Sequence, residues 1–178
     1  RRSGMLRADH LLHLRCEVAD PRMRDLFFPL SDTPCLKLVS LMDHTPGQRQ
    51  WRDTTAYRTY YSNIRSWTDE EFTAMMHELE EVRDSCANDN AASVMEFCRH
   101  HLPMASHDDT LVEHVEEALS NGISISEFPT TTEAACCASE NGMLVMMGAP
   151  NVVRGGSHSG NASALDVAKE GHLGALSS

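Results

Sequence analysis

The sequence predicts an α/β fold forming part of a (β/α)8 barrel, with about six βα units in 178 residues. Three observations lead there. Short apolar runs alternate with longer helix-period segments, the pattern of strands and crossover helices around a parallel sheet. Three helix-to-strand joints share one punctuation, Asn121-Gly122, Asn141-Gly142 and Glu170-Gly171, where a left-handed residue is wanted just past a helix. Polar residues collect at the ends of several strands, as in barrel enzymes, whereas an open doubly wound sheet gathers its chemistry at one switch point. A whole barrel needs roughly 250 residues, so six units read as about three quarters of one.

Taken in order, the first strand is expected over Leu11–Val18 and carries His13, Arg15 and Glu17. The second, Leu36–Asp43, runs into His44, and the third, Leu102–Ser106, into His107 and Asp108. Ile123–Phe128 carries Glu127, Met143–Gly148 leads into the polar stretch from Asn151 to Asn161, and Leu173–Ser177 is the sixth. The clearest helix is Thr68–Arg83: Thr68 and Glu71 form a capping box, and Phe72, Met75, Met76, Leu79 and Val82 fall on one stripe. A second helix is expected over Ala91–His101. Leu111, Val112, Val115, Ala118 and Leu119 mark another, and Thr130-x-x-Glu133 opens the next. Thr45–Trp67, rich in aromatic and basic residues, reads as an insertion within one domain spanning 1–178.

Composition bounds the function. Hydrophobic residues at 41% and charged residues at 23% suit a globular chain and exclude a disordered or fibrous one. No apolar run reaches the roughly 20 residues of a membrane span, and no secretory apolar region opens the chain. A formal net charge of −11 argues against binding a nucleic-acid backbone through bulk charge. The six cysteines include no CxxC pair and read as reduced thiols in a cytoplasm, with Cys136 and Cys137 as small core residues.

Glu17, His44 and His107 each lie at the carboxyl end of a different expected strand, so barrel closure would turn them towards one another. One carboxylate and two imidazoles suit Zn²⁺ or a similar divalent ion. A carboxylate shared between two such ions would support an activated water. Singly, each is an ordinary polar strand-end residue, and no local spacing motif ties the three together. Gly148 to Asn161 is the densest loop: Gly155, Gly156 and Gly160 let backbone N–H groups form an anion nest, with Arg154, Ser157 and His158 as further donors. It is neither a Walker A loop nor a GxGxxG fingerprint. Asp43-His44-Thr45-Pro46-Gly47 is a strand-end turn followed by the donors Gln48 and Arg49, and Arg15 adds a cation on the first strand.

At this point the residues resemble a known family. His13-Leu-Arg-Cys-Glu17, Ser40 to Gln50, Ala105-Ser-His-Asp-Asp109, Glu127-Phe-Pro-Thr-Thr131 and Gly148 to Asn161 look like the diphosphatases of the carbon–phosphorus lyase pathway of phosphonate use, within the amidohydrolase superfamily. The resemblance runs nearly end to end. It implies a distorted metal-dependent barrel binding one or two divalent ions, zinc foremost, and hydrolysis of α-D-ribose 1-methylphosphonate 5-triphosphate to the 5-phosphate and diphosphate. It makes His44 and His107 metal ligands and Glu17 the carboxylate shared between metals. The phosphate-contact candidates, Arg15, Gln48, Arg49, Arg154, Gly155, Gly156, Ser157 and His158, follow from their chemistry.

The alternatives are another amidohydrolase-type deaminase or amide hydrolase, and a non-catalytic domain that binds a phosphorylated ligand. The superfamily's first-strand His-x-His pair and last-strand general-base Asp have no counterpart here. The chain opens Arg1-Arg2-Ser3 and stops at Ser178, where that Asp is expected next, so both ends read as cut and no catalytic base is assignable. These 178 residues alone are therefore expected to be inactive and to aggregate through open strand edges.

Overall fold

The computed structural model of the protein describes residues 8–62, 66–157 and 160–177. Among these residues six strands, β1 (Leu12–Glu17), β2 (Leu36–Met42), β3 (Met104–His107), β4 (Ile125–Glu127), β5 (Leu144–Gly148) and β6 (Ala175–Ser177), form one sheet. They pair in chain order and every pairing is parallel. An unreversed order has no switch point, so right-handed crossovers stack the helices on one face and leave the other free to curl inward. The result is a curled, six-stranded half-barrel. Its curl brings together side chains two strands apart: Ser40 Oγ on β2 donates to Glu127 Oε2 on β4 at 2.9 Å, passing over β3. Alternate strands supply one interior layer of a barrel in this way.

Among the described residues there are seven α-helices, α1 (Met23–Ser31), α2 (Thr54–Tyr61), α3 (Asp69–Cys98), α4 (Val112–Ser120), α5 (Thr132–Glu140), α6 (Ala149–Arg154) and α7 (Ala164–Lys169), of which α1, α3, α4, α5 and α7 bury residues against the convex face. Between this layer and the sheet lies the core, where Val39, Met104, Val145 and Met147 of the strands meet Phe27, Val94, Val115, Ala138 and Val167 of the helices. Alanines 134, 135 and 138 are fully buried on α5, and their small size lets that short helix sit close to the strands. The three helix-to-strand joints hold the expected geometry, with Gly122, Gly142 and Gly171 at φ +74, +81 and +85.

Two helix expectations change. The segments read as separate helices over Thr68–Arg83 and Ala91–His101 are one 30-residue helix, α3. Its Asn88-Asp89-Asn90 centre has poor helix propensity, but tertiary bonds override it. Asn90 is fully buried and its Nδ2 donates to the carbonyls of Val18 at 2.8 Å and Asp20 at 3.0 Å. The capping box on α3 forms as expected, with Thr68 and Glu71 bonded reciprocally. On α5 the cap falls one residue later: Thr131 accepts from the Ala134 N–H, while the Thr130 hydroxyl bonds Thr110 Oγ1 at 2.8 Å.

The aromatic stretch after β2 forms a short 3₁₀ turn at Arg49–Trp51 and then α2, capped by Asp53. Trp51 packs against Tyr57, Tyr60 and Tyr61, and the Arg58 guanidinium lies 5.1 Å from the centre of the Phe72 ring. All six cysteines are free thiols. Among the described residues no helix is long and apolar enough to cross a membrane.

Candidate metal centre

Strand alternation explains which side chains reach the concave face. On β1, Cys16 points into the core while the residues either side of it, Arg15 and Glu17, turn the other way. His107 closes β3, and His44 follows β2 by two residues. Asp108 comes next, in the left-handed region at φ +55, and Phe128 just past β4 does the same at φ +58. A left-handed Asp is tolerable and a left-handed Phe is strained, a kind of strain that gathers at functional sites.

His44, His107 and Asp108 present ligand atoms that all lie within 4.8 Å of one another. Asp108 Oδ2 stands 3.1 Å from His107 Nδ1 and 3.5 Å from His44 Nε2. Neither approach has hydrogen-bond geometry, so His107 Nδ1 and Asp108 Oδ2 are both buried without a hydrogen-bond partner. Orphaned buried polar atoms are costly, and two facing each other beside a second imidazole are the donor set of a divalent cation. The residues fit such an ion.

Glu17 stands behind His44. Its Oε2 lies 2.6 Å from His44 Nδ1 and its Oε1 accepts the His44 backbone N–H at 3.1 Å. The Asp108 carboxylate first, and Glu17 second, push the His44 imidazole up to about 9. Burial opposes ionisation of Asp108, but the imidazoles of His107 and His44 hold its carboxyl below the ordinary range. On the other side of His107, Nε2 is in close contact with Arg15 Nη2 and lies 3.7 Å from Glu127 Oε2. Phe128 stacks edge-on against the same ring, 5.4 Å between centres. Deeper in the half-barrel, His13 Nε2 reaches Ser40 Oγ at 2.6 Å, and burial lowers the His13 pKa, which keeps that ring neutral.

The cluster opens into a cavity of about 550 Å³ whose lining includes Arg15, His44, His107 and Asp108 together with Arg154, Gly156 and Ser157. Gly155 ends α6 in the left-handed region and turns the chain into this wall. His158 lies outside the described residues. Gln48 and Arg49 are placed elsewhere: both line a separate cavity of about 170 Å³ between α3, α4 and the convex face of the sheet. There Arg49 Nη1 bonds the fully buried Asp109 at 2.6 Å. Gln50, two residues past Gln48, is the one that reaches the concave cavity.

Sequence reasoning therefore assembled His44, His107, Arg15, Arg154 and Ser157 around one space, with Glu17 one layer behind His44. It counted Asp108 and Glu127 among the polar strand-end residues but gave neither a role in the site. Asp108 carried a signal, since it directly follows the strand-end His107, but only its left-handed turn swings it into the cluster.

No family model and no solved structure matches the chain. A curated protein does: the chain is 46% identical over 180 residues to α-D-ribose 1-methylphosphonate 5-triphosphate diphosphatase of Escherichia coli strain K12. That alignment takes in 98% of the chain and 47% of the relative, so the chain spans about half the length of the curated protein it matches. Along nearly its whole length, then, the chain is similar to about half of that diphosphatase.

Proposed function

We propose that the protein carrying this chain is a metal-dependent diphosphatase of phosphonate catabolism, of the amidohydrolase kind. Its reaction is hydrolysis of α-D-ribose 1-methylphosphonate 5-triphosphate to the 5-phosphate and diphosphate. One observation carries the reading: the metal-type donors His44, His107 and Asp108 and the phosphate-type donors Arg154, Gly156 and Ser157 line the same cavity. The activity in the relative's name supports the choice of substrate.

A divalent ion held by His44, His107 and Asp108, zinc foremost for two imidazoles and a carboxylate, supplies Lewis-acid polarisation of a phosphoryl oxygen and an acidified water. Glu17 accepts a hydrogen bond from the Nδ1–H of His44, which leaves Nε2 as the metal-binding atom facing the cavity. Using His107 through Nδ1 requires its ring proton on Nε2, on the side where Glu127 Oε2 lies 3.7 Å away. Arg15 then has no acceptor on that ring, and its guanidinium is free to turn to a phosphate. Arg154 and the backbone N–H groups around Gly156 bind the remaining phosphate charge. Attraction of the anionic substrate is thus local, while the bulk chain stays acidic.

The test uses protein expressed from its complete reading frame, loaded with zinc and given the triphosphate substrate, with phosphorus NMR as readout. Release of diphosphate that stops on chelation and returns with metal is the expected result. A metal-loaded protein that leaves this substrate intact while hydrolysing an amide or deaminating an amine overturns the reading.

A further inference from the structure

We infer that Asp109 is a positioning residue for the metal centre, acting from the convex side of the sheet through the backbone it shares with Asp108. Asp109 is fully buried. Its Oδ1 pairs with Arg49 Nη1 at 2.6 Å, and its Oδ2 accepts the hydroxyls of Ser106 and, at 2.8 Å, Ser126. Those two serines are register partners on β3 and β4, so one carboxylate staples the ends of both strands. Arg49 anchors the same carboxylate to the segment that follows β2, which also carries His44.

The main chain around Asp109 is fixed as firmly. Its carbonyl accepts the Thr130 N–H at 2.8 Å, and the Asp108 N–H reaches the Glu127 carbonyl at 3.0 Å. Between these fixed points Asp108 is held at φ +55, which is the turn that sets its carboxylate against His107 and His44. The strands' alternation puts the ligands on the concave face and the staple on the convex face, one residue apart. Relaxing the staple lets Asp108 leave the left-handed region, and Oδ2 then swings away from the imidazoles. Outer partners that fix a ligand's orientation typically control metal affinity by about 10- to 100-fold.

This rests on the metal reading above, and the test separates the two. Zinc affinity and the visible spectrum of the cobalt-substituted centre are measured for wild type, Asp109→Asn, Ser126→Ala and Ser126→Thr in the complete protein, with thermal melting of each metal-free form. The expected result is at least about tenfold weaker zinc binding and an altered cobalt spectrum in Asp109→Asn, a smaller loss in Ser126→Ala, and recovery in Ser126→Thr, which restores the hydroxyl. Should Asp109→Asn not fold, the Ser126 pair decides the question. Variants that fold and match wild type in affinity and spectrum overturn the inference while leaving the metal centre standing. A wild type that binds no zinc or cobalt overturns the metal reading itself.

Discussion

Raising the pH from about 7 to about 9 should tighten metal binding to this protein by roughly fiftyfold through His44 alone, close to tenfold over the first unit and less over the second. The argument starts from the two carboxylates that flank its ring. Asp108 and Glu17 push the imidazole up from 6.5 to about 9, so the metal-free site holds a proton that an incoming cation must displace. At pH 7 that proton sits about two units below its pKa, and only about one ring in a hundred is neutral. An unperturbed imidazole would impose almost no such handicap. Glu17→Gln removes one of the two carboxylates, so the pH dependence should level off at a lower pH in that variant. Titrating zinc against a chelator of known pH behaviour, in steps from 6.5 to 9, measures the slope. In metal-free protein the sign is opposite. The folded-state value lies above the ordinary one, so the His44 contribution to stability is complete below about 6.5 and is lost as the pH climbs through 9. A zinc affinity that stays flat from pH 7 to 9 would refute the assignment of His44 as a ligand held by these carboxylates.

Further predictions concern the frame around the site. Asn90→Ala removes two buried hydrogen bonds that tie α3 to the loop after Glu17 and should cost about 2 kcal/mol, a fall of about 4–8 °C in melting temperature; an unchanged melting curve contradicts the anchoring role. Burial pushes the Cys16 thiol up to about 12 and Cys98 to about 11, so mass spectrometry after brief labelling at neutral pH should find both unmodified in folded protein. Rapid modification of these two in the native state would mean that the sheet–helix core is open.

The six strands were legible because each is a short apolar run bounded by turn chemistry, and the joints at Gly122, Gly142 and Gly171 punctuate them. The continuity of α3 was not, because the bonds that keep Asn90 helical reach back about 70 residues in the chain. Arg49 reads in sequence as a free donor beside His44. Its partner Asp109 lies 60 residues further on, and only the fold puts that pair on the convex face. His44 and His107 could be found from strand-end position alone. Asp108 needed a backbone angle that no residue pattern encodes, and the Glu127 approach to His107 needed the parallel register of β3 on β4.

The most direct test of the central claim is zinc occupancy at equilibrium, by dialysis and elemental analysis, in the complete protein with His44→Ala, His107→Ala, Asp108→Asn and, for comparison, Gln48→Ala. The account predicts reduced zinc affinity in each of the first three and wild-type affinity in Gln48→Ala, which lies on the convex face. Undiminished zinc affinity in His44→Ala, His107→Ala and Asp108→Asn would contradict it.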